Sequence, residues 1–236
     1  MKGTMKGILT FAVMGALLGA VASPASADSI SFTDQVKFIS DLQPTATVTL
    51  PAFDTLGNTL TLTNVLVEVF HFASVELKAD NDDPFQGATV SGRMFRQWSL
   101  TGPGVVSSGS QITQTPFVNL LADDGDGGNT FNFDASAPDG VNFGLLSYGP
   151  LLASSHNPAF GPYTDTGTVD FFVTPLLMSQ DLQFVTPPDA WQLDVQNPSL
   201  TVVVKVTYDY VPEPASLTFL ALGAGAMLIR RRRPSR

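Results

Sequence analysis

Cysteine is absent from the 236 residues, and histidine occurs only at positions 71 and 156. The first absence excludes a disulfide framework, thiolate metal ligation and cysteine nucleophiles together. The second leaves little for zinc, whose sites draw on His and Cys, and offers general-base chemistry few bases. Basic residues are also scarce, with 12 Lys and Arg against 21 Asp and Glu for a net charge of -9. Seven of the twelve lie at the two ends, so residues 28 to 211 hold five basic and twenty acidic side chains, net -15. A chain this acidic has no basic face with which to neutralise phosphates, so nucleic acid is excluded as a partner. Such a charge opposes self-association at low salt and repels anionic polymers unless divalent cations bridge them.

The apolar runs are confined to the ends. Residues 1 to 27 have the three parts of a secretory signal peptide: Lys2 and Lys6, the apolar stretch Ile8 to Ala22, and the small residues Ala25-Ser26-Ala27. Ala25 and Ala27 form an A-x-A cleavage site, which predicts removal after Ala27 by signal peptidase. The apolar run is short for a membrane span and Pro24 follows it at once.

The other end carries Val211-Pro212-Glu213-Pro214, an apolar stretch Leu217 to Ile229, and Arg230-Arg231-Arg232-Arg233. Ala215 to Ile229 would span about 22 Å as a helix, short against a hydrocarbon core of about 30 Å. Snorkelling and local thinning narrow that gap. The four arginines would anchor in the cytoplasm by the positive-inside rule, with residues 28 to 214 outside. A core helix with a basic tail is the competing reading. The run has no polar face, however, and Gly223, Ala224, Gly225 and Ala226 suit a soluble helix poorly.

These three parts in this order resemble the PEP-CTERM sorting signal. The resemblance covers the last 26 residues, and it implies that Pro212, Glu213 and Pro214 are the motif recognised by exosortase, a membrane-embedded enzyme that removes the helix and tail. It further implies a Gram-negative exported protein at the cell surface or in the extracellular matrix, associated with exopolysaccharide or biofilm, after an intermediate held at the inner membrane.

Residues 28 to 211 read as strands, without a long amphipathic helix. Leu200 to Tyr210 alternates over eleven residues, and Val65 to Leu77 sets Val65, Val67, Val69, Ala73, Val75 and Leu77 opposite Glu68, Ser74, Glu76 and Lys78. Further strands are expected at 30–39, 46–50, 60–63, 88–100, 112–121, 130–133, 168–174 and 182–185. Breakers fall at Thr101-Gly102-Pro103-Gly104, Asp123 to Asn129, Pro138-Asp139-Gly140 and Tyr148 to Pro162. About ten strands without interleaved helices predict one all-β domain, an antiparallel β-sandwich of jelly-roll type. Ser31-Phe32-Thr33-Asp34, Thr49-Leu50-Pro51-Ala52-Phe53-Asp54, Leu56-Gly57 and Thr101-Gly102-Pro103-Gly104 resemble the choice-of-anchor E domain, with Thr55 and the additional Asn58 as small departures. That resemblance implies an exported, surface-associated domain and no assigned chemistry.

The expected role is therefore non-catalytic. Nothing resembles a Gly-x-Ser-x-Gly nucleophile elbow around His156, and His71 sits on a valine-rich face as a core or rim residue would. Glu68 and Glu76 stand about 27 Å apart along one strand, too far for a glycosidase pair, although aspartates meeting across strands leave a carboxylate-based carbohydrate-active enzyme as a third reading. Asp123, Asp124 and Asp126 on a glycine-rich turn suit a weak calcium site or a solvated loop. They fail the EF-hand pattern, because Asn129 and Ala135 stand where Gly and Glu are required. No other cofactor is expected. Trp98 shares a face with Val90, Met94 and Leu100, whereas Trp191 follows a Pro-rich loop and is the candidate for stacking on a sugar, which makes a carbohydrate-binding module the alternative function.

Overall fold

The computed structural model describes residues 26–125 and 133–213. The segment 130–133, expected as a strand, lies outside them except for Phe133, which is not in a strand. The apolar stretches of both ends also lie outside them. Among the described residues no helix is long and apolar enough to cross a membrane.

The chain folds as an all-β sandwich of antiparallel sheets. Its strands are β1 (Asp28–Phe38), β2 (Ala46–Pro51), β3 (Leu60–Asp80), β4 (Ala88–Gly102), β5 (Val105–Gln114), β6 (Val118–Leu120), β7 (Gly140–His156), β8 (Thr168–Thr186) and β9 (Gln192–Pro212). One turn of 3-10 helix, Gly161–Tyr163, joins β7 to β8. The first sheet runs β1-β9-β3-β7 and the second β2-β8-β4-β5, with β6 also pairing β4. Apart from the β4–β5 hairpin and the short β6, each connection crosses from one sheet to the other.

The alternation in the sequence decides which faces meet. Val65, Val67, Val69, Ala73, Val75 and Leu77 of β3 are buried, as are Leu200, Val202, Val204, Val206 and Tyr208 of β9. Facing them, Val48 and Leu50, Met94, Trp98 and Leu100, and Phe171 and Val173 belong to the same core cluster. Branched and aromatic side chains at every second position fill the layer between two sheets packed about 10 Å apart. His71 makes two ring contacts: its centroid lies 5.4 Å from that of Trp98 on the facing sheet and 5.3 Å from that of Tyr148 on the neighbouring strand β7. At one seam between sheets the Ser107 and Ser154 hydroxyls are 2.6 Å apart.

The strands are longer and fewer than the sequence predicts, for one physical reason. Stretches 60–63 and 65–77 are one strand with a register shift between Leu62 and Asn64. Stretches 168–174 and 182–185 are joined through Pro175, which sits at the shift opposite Gln97 and Trp98. β9 begins well before Leu200 because Asn197, at φ 51°, and Pro198 occupy a bulge opposite Ser74 to Glu76. β7 likewise passes through the expected breakers Gly149 and Pro150, and no strand is expected from the sequence anywhere along its length. A proline without an N–H and a residue at positive φ fit a bulge, where the ladder already omits a bond, so the strand continues past them. The polar, glycine-containing β5 starts before the expected stretch 112–121, which breaks at 115–117 before β6. Gly109 is required in β5, since a Cβ would come within 2.7 Å of the Trp98 indole nitrogen.

Trp98 is completely buried between the sheets. Replacing it with alanine removes the largest side chain of the core, and Trp98→Ala is expected to lower unfolding free energy by about 3–5 kcal/mol. Urea denaturation of the two chains measures this as a lower midpoint at similar slope.

Candidate functional site

The pairing of β3 with β9 sets the two ends of the sandwich. Asp80 opposes Gln192 at one end and Leu60 opposes Pro212 at the other. With 21 residues in each strand, the ends stand roughly 60–70 Å apart. At the second end β1 starts beside the finish of β9, Asp28 opposite Tyr210, and the Tyr210 hydroxyl lies 3.3 Å from Asp28 Oδ2. Ala27 directly precedes β1 and is exposed. Pro212 and Glu213 are exposed as well, and Glu213 N–H donates the closing bond to Thr59 O at 2.8 Å. Ala25, Pro214 and Arg230 to Arg233 lie outside the described residues.

The first end gathers aspartates from three loops. Asp80, Asp82 and Asp83 lie at or after the end of β3, Asp123, Asp124, Asp134 and Asp139 lie between β6 and β7, and Asp189 lies between β8 and β9. Beneath them Ala79, Ala88, Val90, Leu120 and Leu182 form a small second cluster. Backbone donors hold the loops together. Asp83 Oδ1 accepts from the N–H of Phe85 and Gln86 at 2.9 and 3.1 Å, and its Oδ2 from Asp189 N–H at 2.9 Å. Asp80 Oδ2 accepts from Asp134 N–H at 2.8 Å. Asn81 Nδ2 donates to Gln86 O and Leu121 O, its backbone N–H donates to Asp139 O, and Asp123 N–H donates to Asp83 O.

Among the described residues, Asp123, Asp124 and Asp139 each offer a carboxylate oxygen within 4.8 Å of the other two. Asp124 is exposed, Asp123 half-buried and Asp139 only 2% exposed. Asp139 Oδ2 accepts the Asp124 N–H at 3.0 Å, while its Oδ1 is buried with no hydrogen-bond partner among the described residues. A buried acceptor left in that condition costs about 1–3 kcal/mol. Gly140 fixes the position of Asp139. Its N–H donates to Ser136 O at 2.7 Å, and a Cβ at 140 would collide with the carbonyl oxygens of Asp134 and Ser136.

The structure thus brings together two of the three aspartates singled out in the sequence, Asp123 and Asp124, and adds Asp139, which reads in the sequence only as part of a Pro-Asp-Gly turn. Asp126 lies outside the described residues. Neither histidine joins this group. His71 is buried, with Nδ1 3.3 Å from the Tyr148 hydroxyl, and burial lowers its pKa. Trp98 is sealed in the core and offers no platform. Trp191 is 44% exposed at the aspartate-rich end, its ring 5.4 Å from that of Phe184.

The three backbone donors around Asp83, Asp189 N–H first and then those of Phe85 and Gln86, hold its carboxyl below the usual carboxylate range against the opposing effect of burial. The folded chain therefore binds this proton more weakly than the unfolded chain. The carboxylate stabilises the fold above the unfolded value near 4, and that contribution is lost as pH falls through the lowered folded value. Asp83→Asn is expected to lower Tm at pH 7 and to flatten the fall of Tm between about pH 4 and 2, which thermal melts across that range would measure.

No family model and no curated protein matches the chain. Among solved structures, "Structure of infectious bursal disease virus Gx strain" aligns at 9% identity and TM-score 0.12, covering 82% of this chain and 42% of that one. "Structure of infectious bursal disease virus Gt strain" aligns at 12% identity and TM-score 0.12, covering 80% and 41%. The chain spans about two fifths of those chains, and likeness at that score carries no inference about this one.

Proposed function

We propose that the chain is a non-catalytic exported protein of the cell surface or extracellular matrix, sorted by exosortase through Pro212-Glu213-Pro214 and associated with exopolysaccharide or biofilm. The observation that carries this reading is where the first and last described strands begin and end. β1 opens at Asp28, one residue after the expected signal peptidase site, and β9 closes at Pro212, the first residue of the sorting motif. Both boundaries are exposed and neighbours at one end of the sandwich, where two processing enzymes would meet the chain at strand ends rather than within the core. The strand orders β1-β9-β3-β7 and β2-β8-β4-β5 suit a jelly-roll, in which a long hairpin of paired strands wraps into two sheets.

Expression in a bacterium that carries exosortase, followed by intact-mass measurement, tests the assignment. The expected species begins at Asp28 and lacks the helix and the arginine tail. A stable exported species that retains Arg230 to Arg233 would overturn it.

One observation favours the alternative of a carbohydrate-binding module: Trp191 stands partly exposed beside Phe184. Aromatic faces of this kind stack on sugar rings. Under that reading the full chain binds specific oligosaccharides on a glycan array and Trp191→Ala abolishes the signal. Binding that survives the substitution, or none at all, rejects it.

A further inference from the structure

We propose that Asp123, Asp124 and Asp139 form a binding site for a hard divalent cation of the calcium class, which clamps the segment after β6 to the start of β7. Two observations meet at this place. The first is the convergence of three carboxylates, with an oxygen of each inside a 4.8 Å spread. Calcium binds oxygens at 2.3–2.6 Å, so two ligands on one ion stand at most about 5 Å apart, and this spread fits a single coordination sphere. The second is independent of the clustering: Asp139 is 2% exposed, and its Oδ1 is buried without any donor among the described residues. A carboxylate oxygen held in that state by a rigid turn is a preformed ligand. A water molecule could satisfy its lone pair but would leave the negative charges together. A cation meets both demands.

The donor set selects the class of ion. It is all oxygen and all carboxylate, which suits calcium, magnesium or manganese rather than zinc or copper. Geometric tolerance favours calcium, since it accepts irregular shells of six to eight oxygens with water completing them, whereas magnesium demands a near-ideal octahedron. The backbone is arranged to keep the three residues in place. Leu121 N–H bonds Pro138 O at 3.0 Å, Asp123 N–H bonds Asp83 O at 2.9 Å, and Asp124 N–H bonds Asp139 Oδ2 at 3.0 Å. These contacts bring the strand end after β6 against the turn before β7, so an ion bound there joins segments about 15 residues apart in sequence. With only three protein carboxylates and one of them exposed, the expected dissociation constant lies in the range of extracellular modules, roughly 0.1–1 mM.

The test uses the full chain in a non-ionic detergent, freed of metal with a chelator and titrated with calcium chloride at constant ionic strength. Calorimetry should show a saturable heat of about one ion per chain, and Tm should rise by several degrees at 10 mM calcium. Asp124→Asn alters an exposed side chain and keeps the backbone bond to Asp139, so it should fold and weaken binding at least tenfold. Asp139→Asn should abolish binding, and its own melt reports whether it has folded. The absence of heat and of any shift at 10 mM calcium overturns the site. So does a shift of equal size in wild type and Asp124→Asn, which would reflect general screening of the acidic surface. Neither outcome depends on how the chain is exported or processed.

Discussion

The antiparallel pairing of β3 with β9 is the constraint on which the rest depends. Each strand has 21 residues, and each places a valine-rich face inward along most of its length. A one-residue slip would turn Val65, Val67 and Val69 to solvent and bring Glu68 and Lys205 into the core, so the register is tightly specified. Glu68 and Lys205 confirm it on the outer face, paired at 2.9 Å. Once that pair is fixed, β1 and β7 add to its two edges, and the second sheet covers the apolar side. The same pair separates the molecule into an end where the chain enters and leaves and an end where the aspartate-bearing loops meet.

The inner layer is not wholly apolar. Arg96 is completely buried between the sheets and makes no ion pair among the described residues. Its guanidinium donates instead to the carbonyl oxygens of Ser199, Phe95 and Ser179 and to Gln180 Oε1, leaving Nη2 without a partner. Desolvation lowers its pKa to about 10, an effect opposed by the fields of Tyr148 and Asp41, so the group stays charged at neutral pH. Carbonyl dipoles from both sheets converge on this cation and tie β4 to β8 and β9. Removing the side chain would leave those carbonyls facing a cavity, a larger loss than deletion of a surface ion pair.

Much of this was legible in the sequence because period-two alternation over eleven or more residues admits few alternatives. The inward faces of β3 and β9, the burial of Trp98 and the core place of His71 all follow from it. Several of the misses fall at prolines, whereas the start of β5, the first half of β7 and the join at Asn64 are missed without one. Pro150, Pro175 and Pro198 read as strand ends, yet each lies within a continuous strand, at or beside a bulge, because the missing N–H falls where the ladder is already interrupted. The aspartate site was legible by halves for a different reason. Asp123 and Asp124 are adjacent in a glycine-rich segment and announce themselves. Asp139 is brought to them by the register of β3 with β7, in which Asp80 opposes Gly140. No local pattern encodes that pairing. The available signal was the Pro-Asp-Gly turn itself, whose glycine leaves no room for a side chain.

Charge is distributed along the same long axis. The three ion pairs among the described residues, Lys78 with Asp194, Arg93 with Asp181 and Lys205 with Glu68, lie on the outer faces of the sheets. These pairs are partly exposed and contribute little to stability, but they neutralise the faces. The loops beyond β3 have no lysine or arginine of their own, and their aspartates are held chiefly by backbone N–H groups. Such donors orient a carboxylate and stabilise its ionised form without cancelling its charge. Negative charge therefore gathers at this end, and Asp28, Asp54, Asp165, Asp209 and Glu213 place further acidic side chains at the other. Folding makes this arrangement unavoidable: the β3–β9 register that buries the valines also sends the loops after β3, β6 and β8, with their aspartates, to one end.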